Sequence, residues 1–291
     1  MKHTKNILIG FSLMLMATSA SAQINPMDAQ FFKNPYLANP AKAGALTAAR
    51  LNIAYRNQWS SMPGSPRSQM ISYDTQANKA GLGLSVITDK AGLLDFTKVM
   101  GTYAYHVPLN GVNKYLDFGL SLGFYKRNFG IDRVIGDPND QSLLNYDTKP
   151  MFEGDAGIAY SSPKFGAEVA LYNLKGQFKG DFKNSADNQL AYIATDYSFA
   201  VSDWSVKSKL AYRVVRNYTN IVDFGFNATS ADEKLDFTTI YHSSKSMSFG
   251  IGYLHNKKWH VLGVYNTPNA AIKGYVNGTF EVALSLNLQK K

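Results

Sequence analysis

From Thr47 onward the chain alternates between apolar and polar positions, most cleanly in its last regular stretch. There Phe280, Val282, Leu284, Leu286 and Leu288 fall on one face, and Thr279, Glu281, Ala283, Ser285 and Asn287 on the other. Successive side chains of an extended strand point to opposite faces, so this segment is apolar on one side and polar on the other. Its length matches the roughly 9–11 residues that a tilted strand needs to cross a bilayer.

The same reading predicts fourteen strands: Ala49–Trp59, Arg67–Ala77, Ala80–Asp89, Leu94–Val107, Lys114–Arg127, Met151–Ser161, Lys164–Tyr172, Gln189–Val201, Trp204–Val215, Thr219–Thr229, Lys234–Ser243, Met247–His255, Lys258–Asn266 and Thr279–Leu288. The third sets Leu82, Leu84 and Val86 against Gly81, Gly83 and Ser85; the second is only partly clean, and the fourth is extended but mixed in phase. Asn78-Lys79, Ser162-Pro163, Ser202-Asp203 and Asn256-Lys257 form tight turns at every second link, with longer loops between them, notably Asn128–Pro150 and Asn173–Asn188. A soluble sandwich also alternates. An even strand number, short turns on one side, long loops on the other and an amphipathic closing strand point instead to an all-β protein, a transmembrane antiparallel β-barrel. The long loops are assigned to the cell surface.

The front of the chain changes the picture by placing it outside the cytoplasm. Lys2 and Lys5 precede an apolar run from Ile7 to Ala17, and Ala20-Ser21-Ala22 supplies a small-residue cleavage site. This reads as a signal peptide over residues 1–22, cut after Ala22. Its removal drops two lysines and no acid, taking the net charge from +9 to +7. Export makes nucleic acid an improbable partner for that basic excess; acidic outer-membrane lipid headgroups suit it better. Cysteine is absent, so no disulfide framework, thiol nucleophile or Cys-based metal site exists. The 18 Tyr and 17 Phe suit aromatic girdles at two membrane interfaces. A mean hydropathy of −0.21 excludes neither a soluble β-protein nor a barrel.

Between leader and barrel (47–291) lies residues 23–46, a segment that does not alternate. It holds Asn34-Pro35, Asn39-Pro40-Ala41 and Gly44. Proline lacks a backbone donor and pushes its predecessor to extended geometry, so the segment is turn-rich and non-strand, lying in the periplasm or in the lumen. The run Asn34-Pro35-Tyr36-Leu37-Ala38-Asn39-Pro40-Ala41-Lys42-Ala43-Gly44 resembles the opening motif of the PorP/SprF family of type IX secretion system membrane proteins. Tyr55-Arg56-Asn57-Gln58-Trp59, then Gly64, Pro66 and Ser72, resemble that family's first hairpin, and Gly81-Leu82-Gly83-Leu84 with Asp89 and Gly92 continues the match.

The resemblance implies a non-enzymatic outer-membrane component of type IX export in a Gram-negative bacterium. It would support secretion or surface attachment of a particular adhesin-like cargo, gliding motility included, by binding the cargo's C-terminal signal domain. Other partners would be periplasmic and outer-membrane secretion components. On this reading Asn34, Pro35, Asn39, Pro40, Ala41, Gly44, Arg56 and Trp59 are the candidate partner-binding residues. Trp59 also suits an interface aromatic, and Arg56, on the polar face of its strand, is placed to pair with Glu281 of the closing strand. The alternative is a FadL-type channel for a hydrophobic small molecule, whose hatch motif Asn39-Pro40-Ala41 also resembles.

Other chemistry is sparse. His106, His242, His255 and His260 show no metal-ligand spacing. Gly81-x-Gly83 and Gly250-x-Gly252 lie within strands, where glycine marks a close approach rather than a phosphate cradle. Asp137, Asn139, Asp140 and Asp147 crowd one long loop without calcium-loop spacing. The tandem Lys175-Gly176-Gln177-Phe178 and Lys179-Gly180-Asp181-Phe182 occupies the other. No nucleophile–base–orienter set emerges, and no cofactor is expected.

Overall fold

The computed structural model describes residues 28, 30–45, 49–130, 149–179, 189–217, 219–269 and 273–288. The leader with its cleavage point, the Asp137–Asp147 cluster, Gly180-Asp181-Phe182 and the Gln289-Lys290-Lys291 tail lie outside the described residues. Fourteen antiparallel strands close into one barrel, each paired with its sequence neighbours. They are β1 (Ala49–Gln58), β2 (Arg67–Ala77), β3 (Ala80–Ala91), β4 (Leu94–Pro108), β5 (Tyr115–Phe129), β6 (Met151–Ser161), β7 (Phe165–Leu171), β8 (Gln189–Val201), β9 (Trp204–Val215), β10 (Ile221–Thr229), β11 (Leu235–His242), β12 (Ser246–His255), β13 (Trp259–Asn266) and β14 (Thr279–Leu288). Closure runs from Ala49 opposite Leu288 to Gln58 opposite Thr279, which leaves neither terminal strand with a free edge.

Alternation decides which way each residue points. Along β14, Phe280 and Val282 face out at 52% and 56% exposure, while Glu281 between them is buried inside. The polar face therefore lines the lumen and the apolar face meets lipid, the reverse of a soluble β-protein. Outward rings gather at both ends of the wall. Phe124 with Phe152 and Tyr265 with Phe280 lie toward one end; Tyr160 with Phe165, Tyr197 with Phe199 and Trp204 with Phe237 lie toward the other. These are the two girdles expected where the wall meets headgroups.

The four tight turns stand where the sequence places them, at the end that carries both chain termini of the barrel. Asn78 adopts φ 57 and Asn256 φ 52, a conformation asparagine tolerates better than most residues. The opposite end, the one that the sequence reading assigns to the outside, is less uniform than expected: Gly92-Leu93 and Ser243–Lys245 are short, and β5 extends through Phe129 into the stretch assigned to a loop. The phases that were mixed in sequence also resolve. On β4, Tyr103 and Tyr105 face out while Met100, Thr102, Ala104 and His106 are buried inside, so both faces carry apolar side chains.

β7 stops at Leu171, short of the outer end of β6, and pairs with it only over Ala156–Ser161. A short helix, α3 by chain order (Leu174–Lys179), fills the gap. The Asp155 carboxylate accepts the Asn173 N–H at 3.0 Å, and the Glu153 carboxylate accepts both the Lys175 and the Gly154 N–H at 3.0 Å. Two strand carboxylates thus occupy amides at the start of a helix, satisfying donors the helix cannot satisfy itself.

Leu84 sits mid-wall on the lipid face at 52% exposure. Replacing it by Arg should destabilise the barrel by roughly 2–4 kcal/mol, the cost of a cation near the bilayer midplane. Urea titration of folding into lipid vesicles checks this, and an unchanged midpoint would place Leu84 away from lipid.

Candidate functional site

The barrel is occupied. Residues 30–45 lie across the lumen as two single-turn helices, α1 (Gln30–Lys33) and α2 (Pro35–Ala38), followed by a 3-10 turn (Pro40–Lys42). Prolines start both later turns, at a position whose amide is unsatisfied in any helix. Asn39 caps the last one, its Oδ1 accepting the Ala41 N–H at 2.9 Å.

Asn34, Tyr36, Ala38, Asn39, Ala43 and Gly44 of the motif each bond to the inner wall. Asn34 Nδ2 donates to Ser72 Oγ at 2.8 Å. Asn39 Nδ2 donates to the carbonyls of Ile158 (3.3 Å) and Val169 (3.2 Å), which face each other across the β6–β7 pair. Tyr36 shares a hydrogen bond with Thr102 Oγ1 at 2.8 Å, and burial pushes its phenol up to about 12. The Gly44 N–H donates to Asp74 Oδ2 at 3.0 Å, and the Ala43 carbonyl accepts from His106 Nε2 at 3.0 Å. Tyr172 donates to the Ala38 carbonyl.

The wall makes room through glycine. A Cβ on Gly81 would strike the Ala43 carbonyl, one on Gly83 the Tyr36 ring, one on Gly119 the Pro40–Ala41 backbone and one on Gly157 the Asn39 side chain. The Gly81-x-Gly83 pair is thus a close-approach site, as its position within a strand suggests. Gly252 serves the wall itself, leaving space for the Asp236–His260 pair.

The start of the plug is held on the far side of the barrel. The Asp28 N–H donates to Glu281 Oε2 at 3.0 Å, and its carboxylate accepts from Ser248 (3.0 Å) and Asn266 (2.5 Å). Lys33 pairs with Asp236 at 3.1 Å, and burial holds its ammonium below the usual lysine range despite that partner. Arg50 donates to the Lys33 carbonyl at 2.8 Å and Lys209 to that of Phe31 at 3.2 Å.

The remaining lumen charges pair among themselves. Lys209 meets Glu168 at 2.9 Å, reaching past the small Ala194 of the intervening strand. Arg213 forks onto Asp223 at 2.6 and 2.9 Å, and His242 Nδ1 lies 2.6 Å from the same carboxylate. Lys98 meets Asp155 at 2.9 Å, and His106 Nδ1 lies 2.8 Å from Asp117. The sequence offers no local partner for His106, His242 or His260. Their partners lie 11 to 24 positions away and meet them through strand register, the only signal that could have found them. Among the described residues no cluster of three or more metal-ligating side chains occurs.

The candidate partner-binding residues divide. Asn34, Asn39 and Ala41 are nearly wholly buried beneath the inner wall with Pro40 and Gly44 beside them, and Pro35 starts α2. A partner entering the lumen would meet Pro40, but would reach Asn34, Asn39 and Ala41 only by displacing the plug. Arg56 lies inside at the outer half, directly across the β1–β14 register from Glu281, both buried. Trp59 turns the chain at the outer end of β1 with φ 51, its N–H donating to the Gly278 carbonyl at 3.3 Å; it is half-buried.

Residues 20–286 match the family model described as "Type IX secretion system membrane protein PorP/SprF". No curated protein matches the chain in sequence. In fold it is similar to the outer membrane protein Omp33 of Acinetobacter baumannii, at 10% identity over 83% of this chain and 98% of that one, with a TM-score of 0.51. It is also similar to the CymD monoaromatic hydrocarbon channel, at 12% identity over 93% and 95%, with a TM-score of 0.56. At such identities the likeness concerns the barrel alone.

Two outcomes follow from this geometry. Gly119→Val should lever the Pro40–Ala41 backbone off the wall; the folded barrel then conducts ions in planar bilayers and is cut by trypsin near Lys42, whereas a silent, resistant variant would mean that the plug does not bear on Gly119. Lys209→Met leaves Glu168 buried without its cation and should cost roughly 3–5 kcal/mol in vesicle unfolding. The double variant Lys209→Met/Glu168→Leu should recover most of that loss.

Proposed function

This chain belongs to the PorP/SprF family of type IX secretion system membrane proteins, and we propose that it serves there as a non-enzymatic outer-membrane partner of one exported, adhesin-like cargo. In this reading the signal peptide of residues 1–22 sends the chain to the periplasm. The barrel then inserts with its tight turns inward and its long loops at the cell surface. It binds the cargo's C-terminal signal domain, promotes its secretion or retention at the surface, gliding adhesins included, and works with periplasmic secretion components.

The observation that carries the reading is the family match over residues 20–286, which takes in both the Asn-Pro segment and the barrel. The seating of that segment supports it. A lumen crossed by hydrogen-bonded backbone is poorly suited to continuous flux and well suited to presenting a fixed surface. Asn34, Pro35, Asn39, Pro40, Ala41 and Gly44 would then act on the partner indirectly, by fixing the shape of the lumen, while Arg56 and Trp59 lie toward the end where cargo arrives. A channel for hydrophobic compounds gains nothing from the likeness to CymD, because the two share only the barrel.

Deleting the gene in its own bacterium should remove one large protein, or a small set, from the cell surface while other type IX exports persist. Surface shaving with mass spectrometry reads this. An unchanged surface proteome after deletion would refute the cargo role.

A further inference from the structure

Barrel lumens are expected to be polar. In one sector of this one the rule breaks: Met70 on β2, Ile87 on β3, and Leu94, Phe96 and Met100 on β4 all face inward, on the outer side of the plug's Leu37. Of these strands, β2 and β4 are the two whose phase is mixed in the sequence. They bound a cavity of about 530 Å³, within the range of ligand pockets. Its floor is formed by α2 and the turn after it, and its upper wall reaches Ala91 and Leu94, which flank the outer Gly92-Leu93 turn. Leu94 is 38% exposed although it points inward, so apolar surface at the top of the cavity is wet.

The facing sector is of another kind. There Arg213 with Asp223 and His242 border the same cavity as ion pairs satisfied within the wall, and Lys98, which lies between Phe96 and Met100 on β4, reaches away from the apolar side chains to Asp155 on β6. A hydrocarbon filling this space would strip water from those pairs and return no hydrogen bonds, which is unfavourable. A strongly charged ligand would find the neighbouring charges already matched. A short peptide segment meets both walls at once, with an apolar side chain for the β2–β4 sector and backbone donors and acceptors for the ion-paired one.

We propose that this chamber is the docking site for the exported partner, receiving from the cell-surface side a short, uncharged segment of that protein with an apolar side chain at its tip. The inference rests on the secretion reading above and adds the place and the chemistry of contact. The plug is the floor of the receptor, and the partner is held against it rather than passed through.

Ala91→Trp and Leu94→Glu test it, since both positions are exposed at the top of the cavity. The first fills the top of the chamber; the second puts an unpaired carboxylate on its apolar side. Each variant is expressed in the deletion strain from the native promoter, and barrel amount is measured by heat-modifiable mobility. Retained surface cargo should fall by roughly tenfold or more in both, the scale of losing an anchor contact, with the barrel undiminished. Cargo display within twofold of wild type in both variants, against loss in the deletion strain, overturns the docking site and leaves the secretion role standing. Unchanged display in the deletion strain itself overturns both. Saturable binding of N-phenyl-1-naphthylamine to the nanodisc-embedded barrel, abolished by Ala91→Trp while display persists, assigns the chamber to a small hydrophobe and also overturns the proposal.

Discussion

A peptide group inside hydrocarbon has no water to bond with, and that single penalty organises this chain. Every backbone donor and acceptor in the wall must find a partner within the wall, so the sheet has to close on itself. The β1–β14 register, running unbroken from Ala49 to Gln58, meets that requirement. Once the ring is closed, alternation has only two destinations, lipid and lumen, and the polar set must go inside. Lumen charges such as Arg213 and Asp223 follow from that sorting, and they pair because an unpaired ion there would be costly.

Closing the ring creates a second problem, an interior lined with donors and acceptors. The Asn-Pro segment answers part of it. Both polar groups of the Asn39 side chain are used: Oδ1 caps its own turn, and Nδ2 reaches two carbonyls of the sheet. The wall contributes absence of bulk, with Gly81, Gly83, Gly119 and Gly157 set where the plug's backbone and the Tyr36 ring come closest. Motif and wall are one interface written in two distant parts of the sequence.

The barrel was legible because its signal is local. In Thr279–Leu288 the two faces differ at every step, and the turns at Asn78-Lys79 and Ser202-Asp203 announce themselves by residue type. What stayed hidden depends on tertiary placement. The periodicity of β2 and β4 was ambiguous because Met70 and Met100 face inward against the usual rule, a departure that no window of sequence can distinguish from a weak strand. His106 meets Asp117, and His242 meets Asp223, only after register is known. Helix α3 was read as part of a loop, since its amides are satisfied by Glu153 and Asp155 from another element rather than by a local cap. The seating of Asn34 and Asn39 inside the barrel likewise had no marker, because Asn-Pro predicts a turn and not where the turn lodges.

The two hydrogen bonds from Asn39 to Ile158 and Val169 bear on the seam where the wall is thinnest, since β6 and β7 share only the ladder from Ala156 to Ser161. The internal segment therefore works as a keystone as well as a stopper. Stiffness of the cylinder and occupancy of its bore are mechanically linked, because loosening the plug at Asn39 removes a brace from this joint.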